Sequence, residues 1–457
     1  MRDAGRPETD SAQIGREAPP SRRQRRSLAG GAPIASSVVP EFQTSPGMRD
    51  ILAPDSVRFR RFVDVFASVV EPAGYELIVP PLMEDAGVFQ RVGEATDVVA
   101  KEMYRFTDLG GREVALRPEQ TASVCRAFVQ HHPTTPWKTW YAGPNFRYEK
   151  PQRGRYRQFD QVGVEALGVD DPHLDVEVIA LAWRFYAALG LRQVTLLLNS
   201  LGEPEERARY VAALRDHFAA AGDSLSADSR TTLARNPLRV LDSKRPQDQA
   251  AIAAAPALAE FLGSDAASHF AIVRTGLDAL GIPYRVEPRL VRGLDYYLRT
   301  TFEFAGGTLD SAQNALGGGG RYDGLVEALG GPPTPGVGFA LGVDRTLLAC
   351  DDEGVFGPPS TAVDVFVVDT TGGAEALAIT DEVRRAGRSA DRAYDGRSMK
   401  AQMKAADRSG ARVAVIVGDD ERAGGKALLR PLRDAGDQVV VARPDLLTQL
   451  EALLSHD

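Results

Sequence analysis

Residues 145–168 read NFRYEKPQRGRYRQFDQVGVEALG, and this stretch decides how the fold is interpreted. Its beginning continues a strand in which alternate side chains share a face, which predicts Asn145, Arg147 and Glu149 on one side of a sheet. The basic segment KPQRGRYR at 150–157 then predicts a cationic loop. A second strand returns after this loop, so the stretch predicts an antiparallel hairpin with a polar face.

The return strand carries more of this polar face. Phe159, Gln161, Gly163 and Glu165 are expected to lie together, and Gly163 is expected to open room for a ligand because it has no side chain. An arginine such as Arg147 offers bidentate contacts to a polyphosphate. Gln161 and Glu165 are suited to an amine or a ring N–H. The hairpin therefore predicts a ligand site, with a buried structural charge network as the alternative.

Three further segments add candidate site residues. RPEQT ends at Thr121 and precedes a predicted helix, where Glu119 can bind a substrate amine and Thr121 can be either a ligand contact or a helix cap. A small-residue strand runs into a helix and places Arg345 near the helix N-terminus, where anions are favoured. The glycine run 317–320 permits close backbone approach. No segment matches GxxxxGK[ST], which excludes a P-loop.

Composition sets outer bounds on function. At about 100–200 residues per domain, 457 residues predict two to four domains. Lys plus Arg is 54 and Asp plus Glu is 62, giving a net charge of −8, which argues against a strongly basic nucleic-acid coat but allows local basic patches. Two cysteines are too few for a disulfide framework. The absence of a run of about 20 apolar residues predicts a soluble, cytoplasmic protein with no membrane association.

The chain divides into regions of different character. Residues 1–44 are predicted to be a disordered tail. Residues 45–350 are predicted to form the main domain, in which 204–285 is alanine-rich with helical periodicity and is called the helical insertion below. Residues 361–457 alternate strands with helices, which predicts a separate α/β domain with a mostly parallel sheet.

The first predicted elements are an amphipathic helix and a short strand. Asp55 or Ser56 is expected to cap the helix, whose apolar residues recur at helical spacing up to Val70. The strand at 75–79 is closed by Pro80–Pro81. The pair His131–His132 is predicted to mark a loop or helix end rather than a metal site.

Taken in order, these segments resemble the class II aminoacyl-tRNA synthetases, and among them the histidyl-tRNA synthetase family. The helix and strand up to Pro81 look like motif 1, which in that family builds the dimer interface. The stretch 145–168 is similar to motif 2, and GVGFALGVDRTLL at 336–348 is similar to motif 3. LVRGLDYY at 290–297 and GGGGRYDGL at 317–325 single out the histidine enzymes. Only the N-terminal tail lies outside the resemblance.

The resemblance implies a fold, an activity and partners. The fold is an α+β class II catalytic core, an antiparallel sheet flanked by helices, with the helical insertion and a C-terminal α/β anticodon-binding domain. The implied activity is ATP-dependent ligation of L-histidine to tRNA(His) through a histidyl-adenylate. It implies ATP and Mg²⁺ as cofactors and a homodimer. The tRNA is expected to contact the 150–157 loop together with Arg397, Lys400 and Lys404.

The resemblance also implies residue roles on the ATP side. Arg147 is expected to hold the α-phosphate, with Arg292 on its opposite side, and both are the implied catalytic residues. Arg345 is expected to hold the γ-phosphate. Glu149 is expected to read the adenine amino group while Phe159 stacks on the ring.

A second set of residues is implied on the histidine side. The amino end of histidine is expected to be held by Glu119, Thr121 and Gln161. The imidazole is expected to contact Glu165 and Tyr297, and Tyr322 is expected to close the pocket. Gln120 departs from the glycine found in many bacterial relatives, and its side chain is expected to point away from Glu119.

A non-catalytic paralogue is the alternative interpretation, namely a histidine-sensing regulatory subunit of ATP phosphoribosyltransferase. It predicts the loss of the ATP-binding arginines and of the anticodon-binding domain. Arg147, Arg292 and Arg345 are all present, and 361–457 has the α/β pattern. The sequence therefore favours the enzyme.

Overall fold

The structure is a computed structural model, and from Thr44 onward it forms one compact unit. The residues that it describes are 42–93, 98–241, 243–290, 296–309, 314–433 and 436–455. Most of the predicted tail, and the candidate catalytic residue Arg292, lie outside these ranges.

A large mixed sheet forms the centre of the N-terminal domain. Among the described residues its strand order is β1-β5-β6-β11-β10-β9-β7-β8. The six inner strands are antiparallel, whereas β1 and β8 pair in parallel at the two edges. The strands are β1 (Glu76–Leu77), β5 (Trp137–Phe146), β6 (Gln158–Leu167), β7 (Val194–Ser200), β8 (Tyr284–Val286), β9 (Leu298–Gly306), β10 (Ala315–Arg321) and β11 (Gly336–Gly342).

Helices and a small antiparallel sheet surround this large sheet. The small sheet has the order β2-β4-β3. Its strands are β2 (Met83–Asp85), β3 (Arg105–Thr107) and β4 (Glu113–Leu116). The α-helices described in this domain are α1 (Asp55–Val70), α2 (Ala86–Gly93), α3 (Thr121–His131), α4 (Pro172–Ala188), α5 (Pro204–Ala221), α6 (Ala227–Arg235), α7 (Gln249–Ala253), α8 (Ser264–Ala279), α9 (Leu325–Ala328) and α10 (Val343–Glu353).

Aromatic side chains fix α1 and α4 against the large sheet. Phe62 and Phe66 of α1 meet the ring of Phe185 of α4 edge to face, with centroids 5.0 and 5.1 Å apart. The expectation that Asp55 or Ser56 caps α1 is wrong. The helix already includes Asp55, and the preceding proline provides no side-chain cap because it has no polar group.

Two other local predictions compare closely with the structure. The strand expected at 75–79 exists but is only two residues long, since a single short pairing joins Glu76 and Leu77 to β5. His131 ends α3 and His132 is its left-handed C-cap, which confirms the helix-end interpretation.

The first part of the helical insertion, residues 204–262, begins and ends at one carboxylate. The Glu206 side chain accepts hydrogen bonds from the backbone N–H of Glu203, at 2.9 Å, and of Gly263, at 2.7 Å. Between these points α5, α6 and α7 pack around a core that includes Tyr210 and Phe218. The last helix, α8, packs differently, because it lies along α4 and buries Val273 in the core of the large sheet. The insertion is helical as predicted, but its last helix belongs to the main layer.

The C-terminal domain has its own sheet, of order β13-β12-β14-β15-β16. Only β13, β12 and β14 pair in parallel, so the prediction of a mostly parallel sheet is wrong for its second half. In this half the described residues include no helix between β15 and β16, and only the five-residue α13 lies between β14 and β15, too short a connection for a parallel crossover. The elements are β12 (Val365–Asp369), α11 (Ala374–Arg385), β13 (Ala390–Arg392), α12 (Met399–Arg408), β14 (Val413–Val417), α13 (Asp419–Ala423), β15 (Lys426–Pro431), β16 (Val439–Ala442) and α14 (Leu446–Leu454).

A buried ion pair joins α4 to β10. Arg321 and Asp175 are fully buried and hydrogen-bonded to each other, and Arg321 also donates to Asp323 at 3.2 Å. His269 of α8 lies 3.3 Å from the other oxygen of Asp175. Although burial opposes ionisation, the hydrogen bonds from His269 and Arg321 lower the pKa of Asp175. The charges are thus compensated inside the protein.

We predict that Arg321→Met lowers the free energy of unfolding by about 3–5 kcal/mol, because the fully buried Asp175 then loses its guanidinium partner. Urea unfolding followed by tryptophan fluorescence measures this in the N-terminal domain, which contains all three tryptophans. The exposed Arg112→Met is the control and is expected to cost less than about 1 kcal/mol. Equal effects of both substitutions would contradict the prediction.

Candidate active site

A cavity of about 230 Å³ opens over the central strands of the large sheet. It is bounded by β6, β10 and β11, by the β5–β6 loop, and by the starts of α3 and α10. Eight of the eleven residues singled out from the sequence line it: Glu119, Thr121, Arg147, Glu149, Phe159, Gln161, Tyr297 and Arg345. The structure thus brings together residues that are more than two hundred positions apart in the chain.

Glycines let the strands beneath the cavity approach each other. A Cβ on Gly319 of β10 would lie 1.9 Å from the carbonyl oxygen of Gly338 on β11. The expectation for Gly163 is wrong in its reason. A Cβ there would lie 2.4 Å from the ring and hydroxyl of Tyr141, so the missing side chain makes room for Tyr141 and not for a ligand. Sequence reasoning missed this because Tyr141 lies on the neighbouring strand.

Two arginines line one side of the cavity. Arg147 follows directly after β5, donates from Nε to the carbonyl of Pro118 at 2.9 Å, and lies 5.1 Å from the ring centroid of Phe159. Arg345 is in the first turn of α10 and donates to the carbonyl of Ala315 at 3.0 Å. Burial and the neighbouring Arg155 lower the pKa of Arg345. Both guanidinium groups are held by neutral carbonyls, which leaves their charge available to an anion.

The cationic loop adds a charge pair at the cavity wall. Glu149 forms an ion pair with Arg155, whose Nε lies 2.9 Å from its carboxylate. Strand β5 ends at Phe146, so Glu149 lies beyond the strand that was predicted to carry it. The backbone pairing nevertheless continues for one step, from the Arg147 N–H to the carbonyl of Arg157 at 2.8 Å. The hairpin therefore keeps Glu149 beside the cavity.

The opposite side of the cavity begins at α3. Glu119 accepts from the N–H of Ala122 at 3.0 Å, so its carboxylate satisfies the helix N-terminus, and burial raises its pKa. Thr121 is the first residue of α3 and is not a cap; its hydroxyl donates to Glu165 at 2.6 Å. Of the two roles left open for Thr121, the structure removes the capping role.

Glu165 lies behind Thr121 on this side of the cavity and is not part of the cavity lining. Its side chain is 1 % exposed and accepts from three hydroxyls, those of Thr121, of Tyr141 at 3.2 Å, and of Tyr322. Burial raises the pKa of Glu165 to about 8, against the effect of these hydrogen bonds. Tyr322 is also fully buried behind the wall. The cavity lining instead contains Tyr296, whose ring centroid lies 5.8 Å from that of Tyr322.

Several lining residues were missed by the sequence analysis. Gln120 is buried, lines the cavity and donates from Nε2 to the carbonyl of Gly143 at 3.3 Å. Asp160 and Asp344 also line it, and Asp344 pairs with Arg49. Burial, followed by the charge of Asp344, raises the pKa of Asp160 to about 6. Phe159, Asp160 and Gln161 all line the cavity at the start of β6, although simple strand alternation would place Asp160 on the opposite face.

The described residues give no sign of a preformed metal cage or of a membrane span. Nowhere in them do three or more His, Cys, Asp or Glu side chains form a group that could hold a metal ion. In the same residues, every helix is too short or too polar to cross a bilayer.

Comparison with known proteins extends this description to nearly the whole chain. The family model for histidyl-tRNA synthetase matches residues 47–346, and the model for the anticodon binding domain matches 363–453. The histidine–tRNA ligase of Rhodococcus erythropolis is 47% identical over 91% of this chain and 99% of its own length. That of Halothermothrix orenii is 44% identical over 89% and 98%.

Solved structures agree with these matches. The apo histidyl-tRNA synthetase of S. aureus has a TM-score of 0.75 and 35% identity, covering 90% of this chain and all of that one. An ATP phosphoribosyltransferase regulatory subunit/histidyl-tRNA synthetase of Bacillus halodurans has a TM-score of 0.58 at 20% identity, over 77% and 92% of the two chains, which shows a shared fold alone. With its catalytic fold and its anticodon-binding domain both matched, the chain belongs to the histidyl-tRNA synthetase family of class II aminoacyl-tRNA synthetases.

Proposed function

We propose that this chain is a histidine–tRNA ligase, which joins L-histidine to tRNA(His) in two steps and uses ATP. The observation that carries the proposal is the cavity itself, where Arg147 and Arg345 share one space with Glu119 and Thr121. The arginines suit a triphosphate, and the acidic and hydroxyl groups suit the amino end of an amino acid.

The first step needs positioning and charge stabilisation. The carboxylate of histidine attacks the α-phosphorus of ATP, a new P–O bond forms, and the bond to pyrophosphate breaks. Arg147 stabilises the α-phosphate and Arg345 the γ-phosphate, while Arg292 is assigned to the α-phosphate from its motif. Phe159 and Glu149 bind the adenine, the first by stacking and the second at the amino group. In the second step the terminal ribose hydroxyl of the tRNA attacks the acyl carbon, and AMP leaves.

The hydrogen bonds around Glu165 explain how the wall could select histidine. The hydroxyl of Thr121 donates its only proton to Glu165, so its oxygen can act only as an acceptor toward the cavity. The hydroxyl of Tyr322 also donates to Glu165. Thr121, Glu119 and Gln161 therefore receive the ammonium of histidine. Tyr297 is proposed to contact the imidazole, while Glu165 and Tyr322 support this side of the cavity from behind.

Mg²⁺ is proposed to enter with ATP. Magnesium is often held by one or two carboxylates together with substrate phosphates. Asp160 and Asp344 are carboxylates of the cavity lining that fit this arrangement. When bound, the ion would neutralise phosphate charge during attack.

The C-terminal domain is proposed to bind the tRNA anticodon. Tyr394 is 54 % exposed, and the guanidinium of Arg392 lies 4.6 Å from its ring centroid. Such a pair can stack with an unpaired base. Arg397, Lys400 and Lys404 follow in sequence and supply charge for the phosphate backbone. A cytoplasmic location is part of the same proposal.

A non-catalytic regulatory subunit is not favoured. The structure of that description shares the fold at 20% identity, whereas full-length relatives at 44–47% identity are histidine–tRNA ligases. The matched anticodon-binding domain supports the same choice.

We expect the purified protein to exchange labelled pyrophosphate into ATP when L-histidine is present, and not with the other amino acids. This exchange measures the first step without tRNA. Exchange that depends on a different amino acid would contradict the assigned specificity, and no exchange with any amino acid would contradict the enzyme assignment.

Arg345→Ala is expected to lower kcat/KM for ATP about 100-fold or more in this assay, because a charge-assisted contact to the triphosphate is lost. Arg112→Ala, on the exposed β3–β4 turn, is the control and should leave exchange unchanged. If the two variants behave alike, Arg345 does not bind ATP.

The homodimer is proposed to cover an apolar run beside the edge strand β1. Leu77, Val79, Leu82 and Met83 are all about half exposed or more, and Val79 is 79 % exposed. Exposed apolar clusters of this kind mark interfaces, and the run coincides with the segment similar to motif 1. A second copy of this chain is the proposed occupant.

We predict that Val79→Asp shifts sedimentation at micromolar concentration from dimer toward monomer, because the substitution places a charge in an apolar interface. Val439→Asp, on β16 of the other domain, is a matched control that should remain dimeric. A wild-type chain that sediments as a monomer would remove the proposed interface.

A further inference from the structure

Arg299 has a backbone conformation that arginine rarely adopts. Its φ is +45°, in the left-handed region. It lies in a bulge near the start of β9, where Leu298 pairs with Arg321 but Thr301 pairs with Gly320. Such a conformation costs a non-glycine residue free energy and persists only where the surroundings impose it. The site is two residues after Tyr297, which lines the cavity.

Backbone hydrogen bonds tie this bulge to the root of the helical insertion. The N–H of Arg299 donates to the carbonyl of Gly202 at 2.9 Å, and its carbonyl accepts from the N–H of Leu201 at 2.7 Å. One turn into α5, Arg207 donates to the carbonyl of Tyr297 at 3.3 Å. The segment that enters the insertion therefore holds both ends of the Tyr297–Arg299 segment.

The side chain of Arg299 lies close to carboxylates from three separate segments. Nε donates to Glu203, which is the N-cap of α5, and Nη1 donates to Asp170, after β6, at 2.7 Å. The carboxylate of Asp323, after β10, lies 4.0 Å from Nη1 of Arg299. A guanidinium presents several donors in a fixed fork, so one side chain can bridge these groups. Asp323 directly follows Tyr322, whose hydroxyl donates to Glu165.

The aromatic residues on this side of the cavity are packed together. The ring centroids of Tyr296 and Tyr297 are 4.7 Å apart, and Tyr296 also packs against Tyr322. Displacement of the Arg299 bulge would move Tyr297 directly and Tyr296 with it. By contrast, Arg147 and Arg345 are held by Pro118 and Ala315, which belong to other segments.

From these contacts we propose that Arg299 is a positioning residue for the amino acid substrate. Its left-handed backbone and its ion pairs with Glu203 and Asp170 fix the positions of Tyr296 and Tyr297 relative to the start of the helical insertion. They thereby determine the affinity for histidine and leave the affinity for ATP unchanged. This inference rests on the proposed function.

The test measures KM separately for histidine and for ATP in pyrophosphate exchange. Arg299→Ala is expected to raise KM for histidine about tenfold, since small misplacements of binding groups have effects of this size or larger. KM for ATP should change less than about twofold. A merely structural role would lower the active fraction, and hence the apparent kcat, without separating the two KM values.

Three further variants sharpen this test. Arg299→Lys keeps the charge but not the fork, so KM for histidine should be intermediate. Glu203→Gln keeps the size of the side chain while removing the carboxylate that Arg299 binds. It should shift KM for histidine in the same direction and decides the question if Arg299→Ala does not fold. Arg126→Ala is the matched control, because the Arg126 side chain is as exposed as that of Arg299, also pairs with a glutamate, and lies outside the cavity lining. Its KM values should equal those of the wild type.

Unchanged KM for histidine in Arg299→Ala and Glu203→Gln, or equal rises for histidine and ATP, would overturn the proposal. Those results presuppose a wild type that exchanges with histidine. A wild type without histidine-dependent exchange instead refutes the proposed function, so the two failures are distinguishable.

Discussion

A carboxylate buried away from water must find donors inside the protein, and the arrangement of this site depends on how Glu165 finds them. Its three hydroxyl partners come from three places: Thr121 at the start of α3, Tyr141 on β5 and Tyr322 after β10. Satisfying one buried carboxyl group thus fixes the helix, the hairpin and the glycine-rich strand relative to one another. Gly338 contributes by its missing side chain, since a Cβ there would lie 1.8 Å from the Glu165 carboxylate.

The arginines of this protein divide by the groups that hold them. Arg321 and Arg299 are neutralised by carboxylates of the fold, and Arg58 pairs with Asp351. Arg147 and Arg345 have only backbone carbonyls as their described hydrogen-bond partners. A guanidinium held by carbonyls remains a strong partner for a phosphate, whereas one between carboxylates is already paired. This difference separates the two arginines proposed to bind ATP from the arginines paired within the fold.

Much of this could be predicted from the sequence, because much of it is local. Strand alternation in 145–168 predicted the hairpin, helical periodicity predicted α1 and the helical insertion, and the motif segments predicted the family, which the comparisons confirm. One error and one question left open concern neighbours in space. The space left by Gly163 is filled by Tyr141, and Thr121, for which two roles were open, donates to Glu165 instead of capping its helix. Neither partner is near in sequence, so no local pattern carries the information. The roles of the cavity residues stay predictions.

In the helical insertion, residues 204–262 begin and end beside Glu206, and this has a consequence for how such a chain can change during evolution. Because Glu203 and Gly263 bond to the same carboxylate, the excursion between them leaves and returns at nearly one point. Segments with adjoining ends can lengthen, shrink or be exchanged at little entropic cost to the host fold. Such exchange is limited by the apolar packing between the insertion and the main domain, since Phe218 belongs to the same buried cluster as Tyr322 and Cys125. Any segment that replaces it must supply its own apolar side chains to cover Tyr322 and Cys125.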